Sequence, residues 1–339
     1  MKTIIKFLAI VLIAILTSCS KSSNDQQVVA TIKVTTLTGR IPGDNNGNVT
    51  NALFNRPRAC AFDLNGNLYV ADTFNHKIKV ISTSGTVSTY AGSTQGDIND
   101  ALLASKFSNP QGLCFDLSGN LVISDTSNHK IKKTTVGNMV FTFAGSTQGG
   151  GDANGTNAKF NNLKAICINS QGTIFIADKD NNTIRKLAPN GDVTNYGGSG
   201  NFYSPEGICV DTQGDIYISD TGNHKIKKIN TSGTKSFIAG SVDGPGDFDG
   251  TAGGAKFNNP KGITIDPAGN LYVADTANHK IKKITPAGVV TTLAGSTDGF
   301  ADGEGSAAKF SSPEGVTFYK NKLYVCDTGN SRIRVIENF

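Results

Sequence analysis

The sequence of 339 residues has no tryptophan, four histidines and two methionines. Each scarcity narrows the chemistry. Glycan-binding sites normally present indole rings, so a carbohydrate cleft is not expected. All four histidines sit inside one repeated phrase, so general acid–base work would fall to Glu, Lys or Tyr. There is no Ser-His-Asp set, phosphate loop or dinucleotide fingerprint. Long hydrophobic runs are also missing. The extended apolar stretch FLAIVLIAIL, Phe7 to Leu16, has ten residues. At about 1.5 Å per residue it reaches only half-way across a roughly 30 Å hydrocarbon core, which excludes a stable membrane span.

That stretch follows Lys2 and Lys6 and reads as the apolar region of a signal peptide. It runs into LTSC, Leu16 to Cys19, which resembles the bacterial lipobox. The resemblance implies a signal peptide over residues 1–18, cleavage before Cys19 and lipid attachment to its thiol. Residues 19–30, including SKSSNDQQ, read as a flexible tether. The protein is thus expected to be exported and lipid-anchored in the cell envelope. Ser20 after Cys19 resembles lipoproteins destined for the outer membrane. Losing residues 1–18 leaves 30 bases against 27 acids, a charge of +3, too weak to argue for a polyanionic partner. Half of those bases lie on one repeated strand, but exposed aromatic platforms for RNA are not evident, so no nucleic-acid partner is expected.

What is abundant is repetition. The signature D-T-x-N places its Asp at 72, 125, 178, 220, 275 and 327. A period near 50 over several copies specifies a repeat architecture. Each unit parses into four short alternating strands punctuated by Gly, Asn and Asp, as in QGLCFD, NLVISD, HKIKKT and MVFTFAG of the second copy. The expected fold is all-β, a six-bladed propeller of four-stranded antiparallel blades over residues 31–339. The last copy stops after its third strand. VTTLTG, Val34 to Gly39, matches VTTLAG of the fifth copy, so a strand over about 33–38 should complete the last blade and close the ring. The phrase N-H-K-I after Y-V-A-D-T, preceded by F-x-x-P-x-G, resembles the NHL repeat. Propellers of that kind include binding scaffolds, RNA-binding modules, lyases and lactonases, so the resemblance implies the fold and leaves function open.

The phrase itself reads as architecture. His76, His129, His224 and His279 recur at one position, with Thr183 and Ser331 taken as its counterparts in the third and sixth copies. At that radius, equivalent histidines on different blades are too far apart to share a metal. Lys77, Lys130, Arg185, Lys225, Lys280 and Arg332 should pair with nearby Asp. Cys60, Cys114, Cys167, Cys209 and Cys326 fall in small packing slots and read as free buried thiols.

Ligands of propellers gather at the axis. The residue before the Gly (Ala in the first and third copies) at the start of each innermost strand is therefore the candidate lining: Arg58, Gln111, Lys164, Glu206, Lys261 and Glu314. This mixed ring could bind a zwitterionic or anionic small ligand, or its members could simply pair among themselves. Glu206 and Glu314 resemble the Glu-Gly metal ligand of lactonase-type propellers, which implies calcium or zinc in the alternative reading, a metal-dependent lyase or lactonase. The preferred reading needs no cofactor and assigns no catalytic residue. One inter-blade connection, GGSGNFYSP, is shorter by about ten residues and should leave a notch on the fourth blade, lined by Phe202 and Tyr203. The expected function is a monomeric, non-catalytic binding or scaffolding module for a protein or small ligand.

Overall fold

A computed structural model describes residues 31–339; the leader, Cys19 and the tether lie outside the described residues. Six antiparallel sheets follow one another along the chain. Blades one to six begin at the axis with Ala59–Phe62, Pro110–Phe115, Leu163–Ile168, Gly207–Val210, Pro260–Ile265 and Gly315–Tyr319. Three further strands step outward in each. In blade one they are Leu68–Asp72, Lys77–Ile81 and Thr86–Ala91. In blade six the outer place is taken by Lys33–Thr38, antiparallel to Arg332–Glu337, with Val34 opposite Ile336. The N-terminal strand therefore closes the ring as the sequence predicts, and it removes two sheet edges at once. In blades one, three, five and six, a two-residue strand from the preceding loop adds a fifth, outermost rung.

Between blades the core is apolar. A Phe from each loop is buried against it: Phe54, Phe107, Phe160, Phe202, Phe257 and Phe310. Over each ring stands a cation, Lys79, Lys132, Arg185, Lys227, Lys282 and Arg334 in turn, at 5.1–5.8 Å from the centroid. Each cation also meets the Asp that opens the repeated phrase. The closest such contact is 2.7 Å, for Lys227 with Asp220, and the longest 4.0 Å, for Lys282 with Asp275. That Asp is fully engaged. The Asp72 carboxylate accepts the Asn55 backbone N–H at 2.7 Å and the Asn75 amide at 2.7 Å. Burial nonetheless pushes it up to about 6, against the Asn55 and Asn75 hydrogen bonds and the Lys79 charge.

The phrase then turns through one 3₁₀ turn, Thr73–Asn75 in blade one, and His76 takes a left-handed conformation at φ 57°. Strand three begins only at Lys77, so the histidine caps the turn and does not open the strand. Its Nδ1 accepts the backbone N–H of Asn109, which leads into the next blade. His129, His224 and His279 do the same for Asn162, Asn259 and Ser312 at 3.0–3.2 Å. In the other two blades, Asn182 Oδ1 accepts Ser204 N–H at 2.8 Å and Ser331 Oγ accepts Arg56 N–H at 3.2 Å. The receiving residues Arg56, Asn109, Asn162, Ser204, Asn259 and Ser312 all have positive φ, so the bond holds a bend that L-residues adopt reluctantly. The counterpart in blade three is thus Asn182 and not Thr183. Arg185 aligns with Lys79 and not Lys77, because DKDNNT carries two Asn and misleads the eye by one.

The five described cysteines are free. Burial pushes the Cys114 thiol up to about 12, as for a small apolar filler, whereas the hydrogen bond with Cys326 holds Cys60 below its ordinary value.

The histidine bond requires a neutral ring, and burial lowers the pKa of His76, His129 and His224. As pH falls below about 6.5, the unfolded chain therefore takes up these protons first, and the stability present above that pH is lost. Replacing the three by Asn, the residue that does the same work in blade three, removes that loss. Melting temperatures at pH 5, 6 and 7 should show wild type falling relative to the triple variant; parallel curves would contradict the assignment.

Candidate functional site

The six innermost strands enclose an axial cavity of about 570 Å³. At the end where these strands begin, Arg58, Gln111, Lys164, Glu206, Lys261 and Glu314 all line it. The backbone sets this ring. Each residue precedes a position that tolerates no side chain, or almost none, because the neighbouring strand passes too close. A Cβ on Gly207 would lie 1.9 Å from the Lys261 carbonyl oxygen, and one on Gly315 2.5 Å from that of Arg58.

The ring residues bond to one another. Arg58 Nη1 and Lys164 Nζ each donate to Gln111 Oε1 at 3.0 Å. Lys261 Nζ donates to Glu314 Oε1 at 3.0 Å and lies 3.8 Å from Glu206. Arg58 Nε lies 3.2 Å from Glu314 Oε2, so the contacts run from Lys164 round to Glu206 and leave the ring open between those two. Two residues outside the sequence-derived ring complete the site. Lys179 Nζ lies 3.0 Å from Glu206 Oε1. It occupies the phrase position where the other blades have Thr73, Thr126, Thr221, Thr276 and Thr328, and that departure was the available signal. Phe74, 41% exposed, lies 5.7 Å from the Arg58 guanidinium, where the other copies have Ser, Asp, Gly or Ala.

The electrostatics are unequal. Four cations, Arg58, Lys164, Lys179 and Lys261, face two carboxylates. Burial opposes ionisation of Glu206, but the Lys261, Lys164 and Lys179 charges outweigh it and hold this carboxyl below its ordinary value. Lys164 is only 7% exposed, and burial brings it down to about 8 despite the attraction of Glu206. Its sole hydrogen-bond partner among the described residues is the neutral Gln111 oxygen. Beyond the ring the wall turns apolar through Ala61, Cys114, Ile168 and Phe318, ending at Phe62 and Tyr319, whose rings stack at 3.9 Å.

A calcium or zinc ion on Glu206 and Glu314 does not fit this arrangement. Both carboxylates are already engaged by Lys or Arg, and no group of three or more His, Cys, Asp or Glu is placed to hold a metal among the described residues. The notch residues divide. Tyr203 is 57% exposed, but Phe202 is 5% exposed and packs as the core Phe of its blade, so its ring does not line the notch.

The architecture and site define a six-bladed β-propeller with a charged axial mouth. The chain carries NHL repeats: the NHL repeat profile matches residues 107–133, 202–229, 257–284 and 310–336. Over 309 residues it is 29% identical to Protein SUPPRESSOR OF QUENCHING 1, chloroplastic, of Arabidopsis thaliana, covering 87% of this chain and 26% of that protein. The chain thus spans about a quarter of that relative's length. Among crystal structures, it is similar to an auxiliary nutrient binding protein from Bacteroides ovatus at TM-score 0.72 and 20% identity, over 90% of this chain and 76% of that one. It also shares its fold with virginiamycin B lyase from Staphylococcus aureus, at TM-score 0.59 and 14% identity, over 90% and 99% of the two chains.

Lys164 gives a test by stability. Because its folded-state pKa is lowered from 10.5 to about 8, the unfolded chain holds more protons between those values. Stability therefore rises with pH across that window, and the destabilisation is full below pH 8. Lys164→Met should raise stability at pH 7 by about 1–3 kcal/mol and flatten the rise between pH 8 and 10.5 in denaturant unfolding. A destabilised variant with an unchanged pH profile would contradict this account of the site.

Proposed function

We propose that the protein is an exported, lipid-anchored binding module that holds a small anionic ligand in its axial cavity and performs no catalysis. The observation that carries this reading is Lys164, a buried ammonium whose only described hydrogen-bond partner is a neutral amide oxygen. A buried cation left so poorly compensated destabilises the empty protein, and an entering anion would restore the balance. The excess of cations in the ring favours a carboxylate or phosphate, and the apolar wall beyond it accepts a hydrophobic body. The cavity volume, about 570 Å³, lies in the range of small-molecule sites. The Bacteroides propeller of the same fold is a nutrient-binding protein, which supports ligand capture. The lipobox-like LTSC that ends in Cys19 supports anchoring in the envelope. The lyase and lactonase alternative loses its argument with the metal, since the donors it needs are bound to Lys and Arg.

Native mass spectrometry of the chain extracted from membranes in mild detergent tests both halves. The expected spectrum shows covalent lipid on Cys19 and one small organic anion per chain, retained at pH 7, released above pH 9 and absent from Lys164→Met. A stoichiometric calcium or zinc that disappears in Glu206→Gln/Glu314→Gln would overturn the binding-module reading in favour of the enzyme.

A further inference from the structure

Five of the six blades share a device that blade four lacks. In each of the five, the loop preceding the innermost strand folds back over the turn of the repeated phrase. There a glycine carbonyl accepts the Asn amide of the phrase: Gly43 for Asn75, Gly96 for Asn128, Gly149 for Asn181, Gly246 for Asn278 and Gly299 for Asn330, at 2.7–2.8 Å. A carboxylate from the same loop reaches the cations of strand three. Asp44 pairs with Lys77 and Lys79, Asp97 with Lys130 and Lys132, and Asp247 with Lys280 and Lys282. Asp152 meets Arg185 and Asp302 meets Arg334, each at 2.6 Å.

Blade four has kept the receiving groups and lost the donor loop. Its connection is cut to Gly197–Ser204 before Pro205. Asn223 bonds only to Asp220, and Lys225 has no acidic partner among the described residues. Lys227 retains Asp220 at 2.7 Å but is 24% exposed, whereas its five counterparts are 0–1% exposed. The exposed Lys235 leans toward the same short loop, its Nζ 3.6 Å from where a Gly198 Cβ would stand. Tyr203 borders the gap, lying so close over Gly222 that a Cβ there would meet its ring at 2.4 Å.

We infer that this gap is a docking site for an acidic segment of a partner protein, which enters extended and supplies in trans what the other loops supply in cis. A backbone carbonyl of the segment accepts the Asn223 amide, and the carboxylate of an Asp following it pairs with Lys225 and Lys227. Charge complementarity sets the class of partner, and the five filled blades set the geometry. This docking site stands independently of the axial ligand: it uses residues of the turn and of strand three that do not belong to the axial ring.

The probe is a fluorescein-labelled octapeptide with the sequence of Ser93–Asp100, STQGDIND, which contains the Gly96-Asp97 pair that fills the equivalent place on blade two. Anisotropy titration of the full chain should show saturable binding. A peptide with Asn in place of its first Asp, and separately Lys225→Gln in the protein, should each weaken binding about tenfold or more, as loss of a charge-assisted pair does. Unchanged melting of Lys225→Gln establishes that the fold is intact. Replacing residues 198–201 by the blade-two segment 93–106 fills the gap in cis and should abolish binding. No saturation at millimolar peptide, equal binding of the Asn peptide, or undiminished binding to the grafted variant would each overturn the inference.

Discussion

The whole propeller depends on one cation per blade, buried in five blades and part-buried in the fourth. Lys79, Lys132, Arg185, Lys227, Lys282 and Arg334 each stand between the Asp of the repeated phrase and the Phe of the preceding loop. A charge in that position is tolerated only if its partners are held in place, and the partners belong to three different segments. The Asp ends strand two, the cation lies on strand three, and the Asp also accepts the backbone N–H next to the loop Phe, as Asp125 does from Ser108 at 2.7 Å. One ion pair therefore fixes how a loop enters its blade and how two strands meet at the turn. The adjacent histidine then carries the order to the next blade through a single backbone bond. This is why the chain repeats the same letters: each blade must solve the same burial problem.

The candidate sites lie where the repeat is broken. Thr gives way to Lys179 in blade three, and the lysine enters the axial ring on Glu206. Blade one carries Phe74 where the other copies are small or polar, and it borders Arg58. At the axis no repeat rule fixes the residue before the small Gly or Ala, so the six positions hold three cations, two acids and an amide, and Lys179 adds a fourth cation. Lys164 is the member least satisfied by the protein itself. Blade four loses the Gly-Asp cover of its turn and presents Asn223, Lys225 and Lys227 outward.

Periodicity made most of the fold legible. The six Asp positions gave the blade count, and the match of Val34–Gly39 to Val290–Gly295 located the closing strand. The ring was legible too, because the Gly or Ala after each member marks close approach of neighbouring strands. Three features were hidden for physical reasons. Phe202 stands beside a deletion, which obscures that it is the same residue as Phe54 or Phe107 and must be buried. Lys179 acts on the following blade, a contact that no local pattern encodes. The histidine's task is acceptance of one backbone N–H, which Asn182 and Ser331 perform equally, so residue type alone could not reveal it.

The loop-borne carbonyl and carboxylate lock the turn of every blade except the fourth. Amide hydrogen exchange tests this directly, because residues 221–227, TGNHKIK, are nearly identical in sequence to 126–132, TSNHKIK, and 276–282, TANHKIK. Intrinsic exchange chemistry is therefore close to equal, and differences report local opening. Residues 223–227 should exchange faster than 128–132 and 278–282. Equal protection across the three turns would contradict it, for the cover would then hold nothing that the core Asp and cation do not hold alone.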